Sequence, residues 1–313
     1  MAEKILVALG GNAMIKSGQR GTIQEQAANL QGSLAGVVDL IRSGHRIVIT
    51  HGNGPQVGHI LIRAEEGRGK AYDLPLDVCV AQSQGEIGYL IRQSLQELLR
   101  QNGIVREIAA IMTCTVVDRN DPRMKIPSKP VGPFYAREQA ESLRARGFDI
   151  IEDAHRGYRH VVPSPLPQRI LETEIIRRLF EDGVVVIAVG GGGIPVSIEQ
   201  DGSLAGVEAV VDKDLASSLL ASAIGVEKIL DLTAVERVKL NFGLPDEQDL
   251  PRMTVAEAKH YLAEGHFEPG SMAPKIEAAI GFLERGGREV IITLPEKALK
   301  AYQGDAGTHI FPD

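Results

Sequence analysis

The sequence predicts an α/β protein: a three-layer α/β/α sandwich whose mainly parallel central sheet is covered by helices on both faces. Three observations predict it. Short apolar runs alternate with longer helical patterns along most of the chain. Those runs are apolar throughout, as strands buried on both faces must be. Several end abruptly in glycine, where such folds turn from strand to helix. At 313 residues the chain is long enough for two domains, or for one large domain with a split core.

Taken in order, KILVAL (Lys4–Leu9) reads as a buried strand ending in Gly10 and Gly11. A helical pattern over about 23–43 follows and is stopped by Gly44. Residues 46–50 form a second strand, ended by His51, Gly52, Asn53, Gly54 and Pro55. Residues 76–101 are helical, with Asn102 and Gly103 as the stop, and 107–117 read as one further strand. From Asp118 to Pro167 the chain becomes rich in Pro, Arg and Lys and loses its periodicity, so it is expected to leave the main sheet. The alternation returns with a helix over 168–182, a strand at 184–189 and the four glycines 190–193. A helix from Asp212, a strand at 228–233, helices near 254–264 and 272–285, and a late strand at 288–294 complete the pattern.

Composition excludes several classes. Hydrophobic residues are 43% and charged residues 24%, ordinary for a globular chain, so long disorder is not expected. Lys and Arg total 34 against 41 Asp and Glu, a net charge of −7, which argues against a nucleic-acid partner. Aromatics are 4% and Trp is absent, so base-stacking platforms are not expected either. No apolar run reaches the roughly 18 residues of a membrane span. The N-terminus lacks a basic region and a cleavage site, so no signal peptide is expected. The two cysteines, Cys79 and Cys114, form neither a C-x-x-C pair nor a disulfide framework, which fits a reducing cytoplasm.

Three loops follow apolar strands: Gly10-Gly11-Asn12, Gly52-Asn53-Gly54 and glycines 190–193. Any one alone is explained as a tight turn. Three together, at the strand ends where α/β proteins bind ligands, point to backbone amides gathered around an anion. The stretch GGNAMIKS has Ile15 where a Walker A loop needs its second glycine. In HGNGPQVG, Gly58 falls one place late for a dinucleotide fingerprint, and Asp73 follows no strand. AQSQG has Ala81 in place of the first glycine of a nucleophile elbow and lies in a helical pattern.

With a negative chain, an anionic ligand must be drawn by local cations. Lys275 falls in the first turn of a helix, after Ser271 as N-cap and beside Pro274. A cation there opposes the helix dipole, unless an anion docks at the same end. Lys213 stands between Asp212 and Asp214 at another helix start, where two acids are also good capping chemistry. Lys125 and Lys129 lie in the extended Pro-rich segment. The histidines have no metal-ligand spacing, so no protein-held metal site is expected, and His51 and His59 read as turn and helix-surface residues.

Seven segments now occur in order: VALGGNAM, THGNGPQVG, PSKPVGPF, EDAHRGYRHVVPSP, GGGGIPV, GVEAVVDKDLAS and HFEPGSMAPKIEAAI. Together they closely resemble the carbamate kinases of the amino acid kinase family, over about residues 4–294. The resemblance implies the amino acid kinase fold in two lobes. Residues 1–182 would be an N-terminal lobe for carbamoyl-phosphate binding and dimerisation, with a small protruding subdomain at about 118–163. Residues 183–313 would be a C-terminal nucleotide-binding lobe. The reaction implied is ADP + carbamoyl phosphate ⇌ ATP + carbamate, with Mg²⁺, in a homodimer.

Residue by residue, Lys129 matches the subdomain-loop lysine, Lys213 and Lys275 the lysines that touch phosphate, and Asp214 the carboxylate that organises them. Gly10, Gly11, Asn12, Gly52, Asn53, Gly54, Gly191 and Gly192 would hold the substrate. Lys213, Thr233, Val235, Phe242, Met272 and Lys275 would meet the nucleotide. The stretch from Thr233 to Arg237 departs from the family's usual glycine- and tyrosine-bearing one. The alternative is another kinase of this family that phosphorylates a carboxylate. Ala8 argues against it, because many amino acid kinases place a lysine there and carbamate kinases do not. Phosphoryl transfer of this kind rests on positioning and charge stabilisation, and an anionic carbamate needs no general base.

Overall fold

The structure, a computed structural model, describes residues 2–16, 18–152, 157–268 and 270–313. Four residues of the fourth resemblance segment, 153–156, and Pro269 in the seventh lie outside the described residues.

The first half of the chain forms β1 (Lys4–Leu9), α1 (Ile23–Arg42), β2 (Arg46–His51), α2 (Gly54–Glu66), α3 (Leu76–Gln101), β3 (Ile108–Ala110) and β4 (Cys114–Val116). The excursion carries β5 (Lys129–Tyr135), α4 (Arg137–Ala145), β6 (Ile150–Glu152) and β7 (Tyr158–Val162). Next come β8 (Arg169–Ile170), α5 (Thr173–Glu181), β9 (Val185–Ile187), β10 (Ile194–Ile198), β11 (Leu204–Gly206), α6 (Lys213–Ala223) and β12 (Lys228–Leu232). The remainder is β13 (Val238–Leu240), β14 (Gln248–Leu250), β15 (Arg252–Thr254), α7 (Val255–Ala263), α8 (Met272–Glu284), β16 (Glu289–Thr293), α9 (Ala298–Tyr302) and β17 (Thr308–Phe311).

Eight strands make the main sheet, in the order β15-β17-β16-β12-β1-β2-β9-β3. Every neighbouring pair is parallel except β16 with β17. The layers follow from side-chain alternation along β1. Ile5, Val7 and Leu9 join one core with Leu30, Leu34 and Val37 of α1 and Ile87, Ile91 and Leu95 of α3. Leu6 and Ala8 join the other, with Phe180, Ala216, Leu220, Ile276 and Phe282 of α5, α6 and α8. β1 is therefore buried on both faces, as its unbroken apolar run requires. The expected boundary at 182/183 falls just before β9, which inserts between β2 and β3, so the sheet runs across it without a break.

The excursion folds into its own antiparallel sheet, β5-β7-β6, with α4 beside it. Its foot rests on α2. A side-chain carbon at Gly58 would come within 1.9 Å of the Gly132 Cα, so helix and strand touch backbone to backbone. That contact explains a helix absent from the sequence expectation. Gly54 and Pro55 were read only as the end of the second strand, yet Pro55 occupies the first turn of α2, where it is tolerated, and Gly58 admits β5.

Two other expectations are corrected. The single strand at 107–117 is two strands in different sheets: Ile111 still donates to the Ile187 carbonyl, but beyond Thr113 the chain pairs with β10. The helix expected over 168–182 begins only at Thr173. Gln168 and Leu171 give their N–H groups to Val116 and Cys114, so tertiary pairing with β4 overrides local propensity there. Among the described residues no helix is long and apolar enough to cross a membrane.

Candidate active site

The three glycine loops converge at the carboxyl ends of neighbouring strands, β1, β2 and β9. Gly10 donates its N–H to the Leu232 carbonyl at 2.8 Å, and Gly52 donates to that of Leu9 at 2.9 Å. The space above Gly52 is filled by the Lys213 stem, 3.6 Å from where a Cβ would stand, and by the Gly11 nitrogen at 3.7 Å. Gly11 and Asn12 form a short 3₁₀ turn on which Asn12 is exposed.

The third loop is shaped by close approach. At Gly191 (φ +63°) a Cβ would overlap the Asn53 side-chain amide at 2.1 Å, and at Gly192 (φ +87°) the Val211 carbonyl at 2.3 Å. Asn53 is buried and donates to the Ser83 hydroxyl at 2.9 Å, which aims its amide under Gly191. Gln84 braces the loop from α3, donating to the carbonyls of Gly190 and Thr113 and accepting from the Thr113 N–H. Gly54 stands 3.5 Å, by its Cβ position, from the Pro130 carbonyl beside Lys129.

Facing these loops is a closed ring of charge. Lys213 donates to Asp214 Oδ1 at 2.5 Å and to Asp231 Oδ1 at 3.3 Å. Lys275 donates to Asp214 Oδ2 at 3.1 Å and to Asp231 Oδ2 at 2.9 Å. Each carboxylate thus serves both lysines, one oxygen to each. None of the four side chains is more than 11% exposed. Lys129 completes the set from β5 through a short ion pair with Asp212 Oδ2. The other Asp212 oxygen caps α6, accepting from the N–H groups of Asp214 and Leu215. Three lysines therefore meet three carboxylates.

Burial alone would raise the Asp214 carboxyl, but Lys213 and Lys275 overcome it and hold the group well below the usual carboxylate range. Burial likewise opposes the charge on Lys275, and Asp214 and Asp231 reverse this, holding it above the usual lysine range. Both groups are charged at neutral pH. His51 is the opposite case: burial pushes it down to about 4, so it is neutral beside Gly190 and adds no charge to the site.

The residues matched to the nucleotide are more spread. Thr233 is buried and donates its N–H to the Thr293 carbonyl, two residues beyond Asp231. Val235 and Phe242 line a cavity of about 540 Å³ with Glu236, Arg237, Lys239 and Asp249. Phe242 is 64% exposed there, a large aromatic face turned to solvent. Met272 opens α8, half-buried against the core that holds Ile276. Ser271 occupies the N-cap position of α8 but its side chain caps nothing, contrary to expectation. Lys125 is exposed and belongs to none of the ion pairs of the ring. Asp231 and Gln84 escaped the sequence reading. The signal for Asp231 was present: a lone carboxylate in the apolar run KILDLT, which must find a cation once that strand is buried.

The model of the amino acid kinase family matches residues 3–294. A carbamate kinase from Thermococcus kodakarensis is 47% identical, covering 98% of this chain and 99% of that protein. A carbamate kinase-like protein of Escherichia coli, YahI, is 45% identical over 99% of both. Solved structures of carbamate kinase from Giardia lamblia, 38% identical and covering 100% of this chain and 99% of theirs, superpose with TM-scores of 0.95 with citric acid bound and 0.90 with AMP-PNP bound.

Proposed function

The chain belongs to the amino acid kinase family, and from that premise we propose that it is a phosphotransferase with carbamate kinase activity, moving a phosphoryl group between carbamoyl phosphate and ADP. The observation that carries this reading is the lysine–carboxylate ring opening beside three glycine loops, with no charged histidine among its members. An ADP oxygen attacks phosphorus, a P–O bond forms to ADP, and the P–O bond to the carbamoyl group breaks to release carbamate. Both nucleophile and leaving group are oxyanions, so no proton has to move. Lys213 and Lys275 offset the charge spread over the phosphoryl oxygens, and the amides of Gly11 and Gly54 hold them in line, on loops that Gly10 and Gly52 anchor through their bonds to Leu232 and Leu9. Lys129 meets the carbamoyl end. Asp214 keeps the two lysines in place. Thr233, Val235, Phe242 and Met272 face the nucleotide side.

The donor set fits Mg²⁺ as an ion carried by phosphate. Asp214 and Asp231 already serve lysines with each of their oxygens, and among the described residues no group of three or more His, Cys, Asp or Glu could hold a metal. When bound, Mg²⁺ supplies charge neutralisation on the nucleotide phosphates. We assign the protein to the cytoplasm: Cys79 is pushed up to about 11 by burial and Cys114 is raised by it, so both are inert thiols suited to a reducing compartment. A homodimer is proposed with this reading, as the resemblance to carbamate kinases implies.

The test is ATP formation from ADP and carbamoyl phosphate with Mg²⁺. Rapid ATP formation is expected. None, with ADP still bound, overturns the reading and sends the search to carboxylate acceptors. Within it, Lys129→Ala raises the KM for carbamoyl phosphate by about 10-fold or more and leaves that for ADP within about 3-fold. Steady-state kinetics with each substrate varied in turn check this. Equal weakening of both would show that Lys129 acts on closure of the subdomain rather than on the carbamoyl group.

A further inference from the structure

We infer that Asp231 is a positioning residue for phosphoryl transfer, referencing the Lys213 and Lys275 ammonium groups to the strand that anchors the first glycine loop. The inference rests on the proposed phosphotransfer activity and adds to it a residue that touches no substrate.

The two lysines come from separate helices. Lys213 opens α6 and Lys275 lies in the first turn of α8. Asp214 cannot by itself tie them to the sheet, because it sits on α6 next to Lys213. Asp231 lies on β12, in the middle of the main sheet, only 4% exposed and in register with Ala8 of β1. The next residue, Leu232, accepts the Gly10 N–H. One strand therefore fixes both the loop amides and, through the Asp231 carboxylate, the two cations. Chemistry limits what else Asp231 can do. Its two oxygens are each taken by a lysine, so it is neither a free base nor an open metal ligand. An ammonium has three N–H donors. In Lys275 two of them go to Asp231 and Asp214, which leaves one, in a fixed direction, for a phosphoryl oxygen. Without Asp231 a second donor is freed and the long side chain regains its rotamers, so the geometry that lowers the barrier is lost while the charge remains.

This predicts a split between binding and chemistry. Asp231→Asn keeps the shape and loses the charge. In that variant kcat falls by roughly 30-fold or more while the KM for ADP changes less than about 3-fold. The pH–rate profile supplies a readout that mere structural support would not move. In the wild type Lys275 faces Asp214 and Lys213 from α6 and Asp231 from β12, with the Lys129–Asp212 pair beside them, and it stays charged through the alkaline range. With one facing carboxylate neutralised, an alkaline fall in kcat moves into the measurable range below about pH 10. An inactive wild type would overturn the proposed function. A wild type that turns over beside an Asp231→Asn protein with unchanged kcat and pH profile would overturn this inference. If Asp231→Asn does not fold, judged by ADP binding, Asp231→Ser carries the same test with the same two outcomes.

Discussion

Lys275→Ala lowers kcat/KM for carbamoyl phosphate and ADP by about 10³-fold, a loss of roughly 4 kcal/mol of transition-state stabilisation. Two effects act in the same direction. The one N–H of Lys275 not bound to a carboxylate is lost, and with it a fixed cation at the phosphoryl group. Asp214 and Asp231 are then left with Lys213 between them, so the pocket turns net negative where the substrate brings more negative charge. Salt does not rescue the loss, because the ring is largely buried and little screened. Steady-state kinetics check the prediction, with the circular dichroism spectrum and the denaturant midpoint as the controls for folding. A near-normal rate in the variant would remove Lys275 from the mechanism.

Asp214→Ala is expected to damage the fold and the chemistry together. It leaves Lys213 and Lys275 sharing Asp231 in a largely buried setting, and breaking such a pair by removing one partner costs about 3–5 kcal/mol. The pH dependence gives the sign. Burial opposes the charge on Asp214, but the lysines depress its pKa in the folded protein below that of the unfolded chain. Its contribution is therefore complete above the ordinary carboxylate range and fades as pH falls below it toward the folded value. Denaturant unfolding should show the wild type losing stability on acidification more steeply than the variant. Equal slopes, or stability at pH 7 unchanged by the substitution, would show that the ring is not an ionised pair network.

The parts of this molecule legible in its sequence are those set by local pattern. β1, β2, α1 and α3 were expected within a residue or two, because unbroken apolar runs and capped amphipathic stretches need no tertiary knowledge. Lys275 and Lys213 were named as cations at helix starts, and with Lys129 and Asp214 as matches to family motifs; the structure brings them together, since Lys213 and Lys275 both reach Asp214. What escaped depended on distant partners. α2 was not among the expected helices: its Gly58 lowers helix propensity, and the reason for a glycine there is Gly132, 74 positions on, packed against it. The division of 107–117 into two strands follows from Gln84, which holds Thr113 by its N–H and carbonyl from 29 positions away. Asp231 passed unremarked inside a strand because its partners, Lys213 and Lys275, come from α6 and α8.

The strand order also has a consequence for how the chain reaches this state. β1, made first, lies at the centre of the sheet between β2 and β12, and β3, at the sheet's edge, pairs with β9 alone among the described residues. Two of the earliest segments to leave the ribosome therefore wait for partners that follow much later: Ala110 for Ile187, and Ala8 for Asp231. Sheets closed by such distant pairings form slowly and leave apolar edges uncovered meanwhile. During synthesis the nascent chain holds an unfinished edge at β2 until β9 emerges, an interval in which chaperone engagement is expected and in which truncated fragments ending before β9 should aggregate rather than fold.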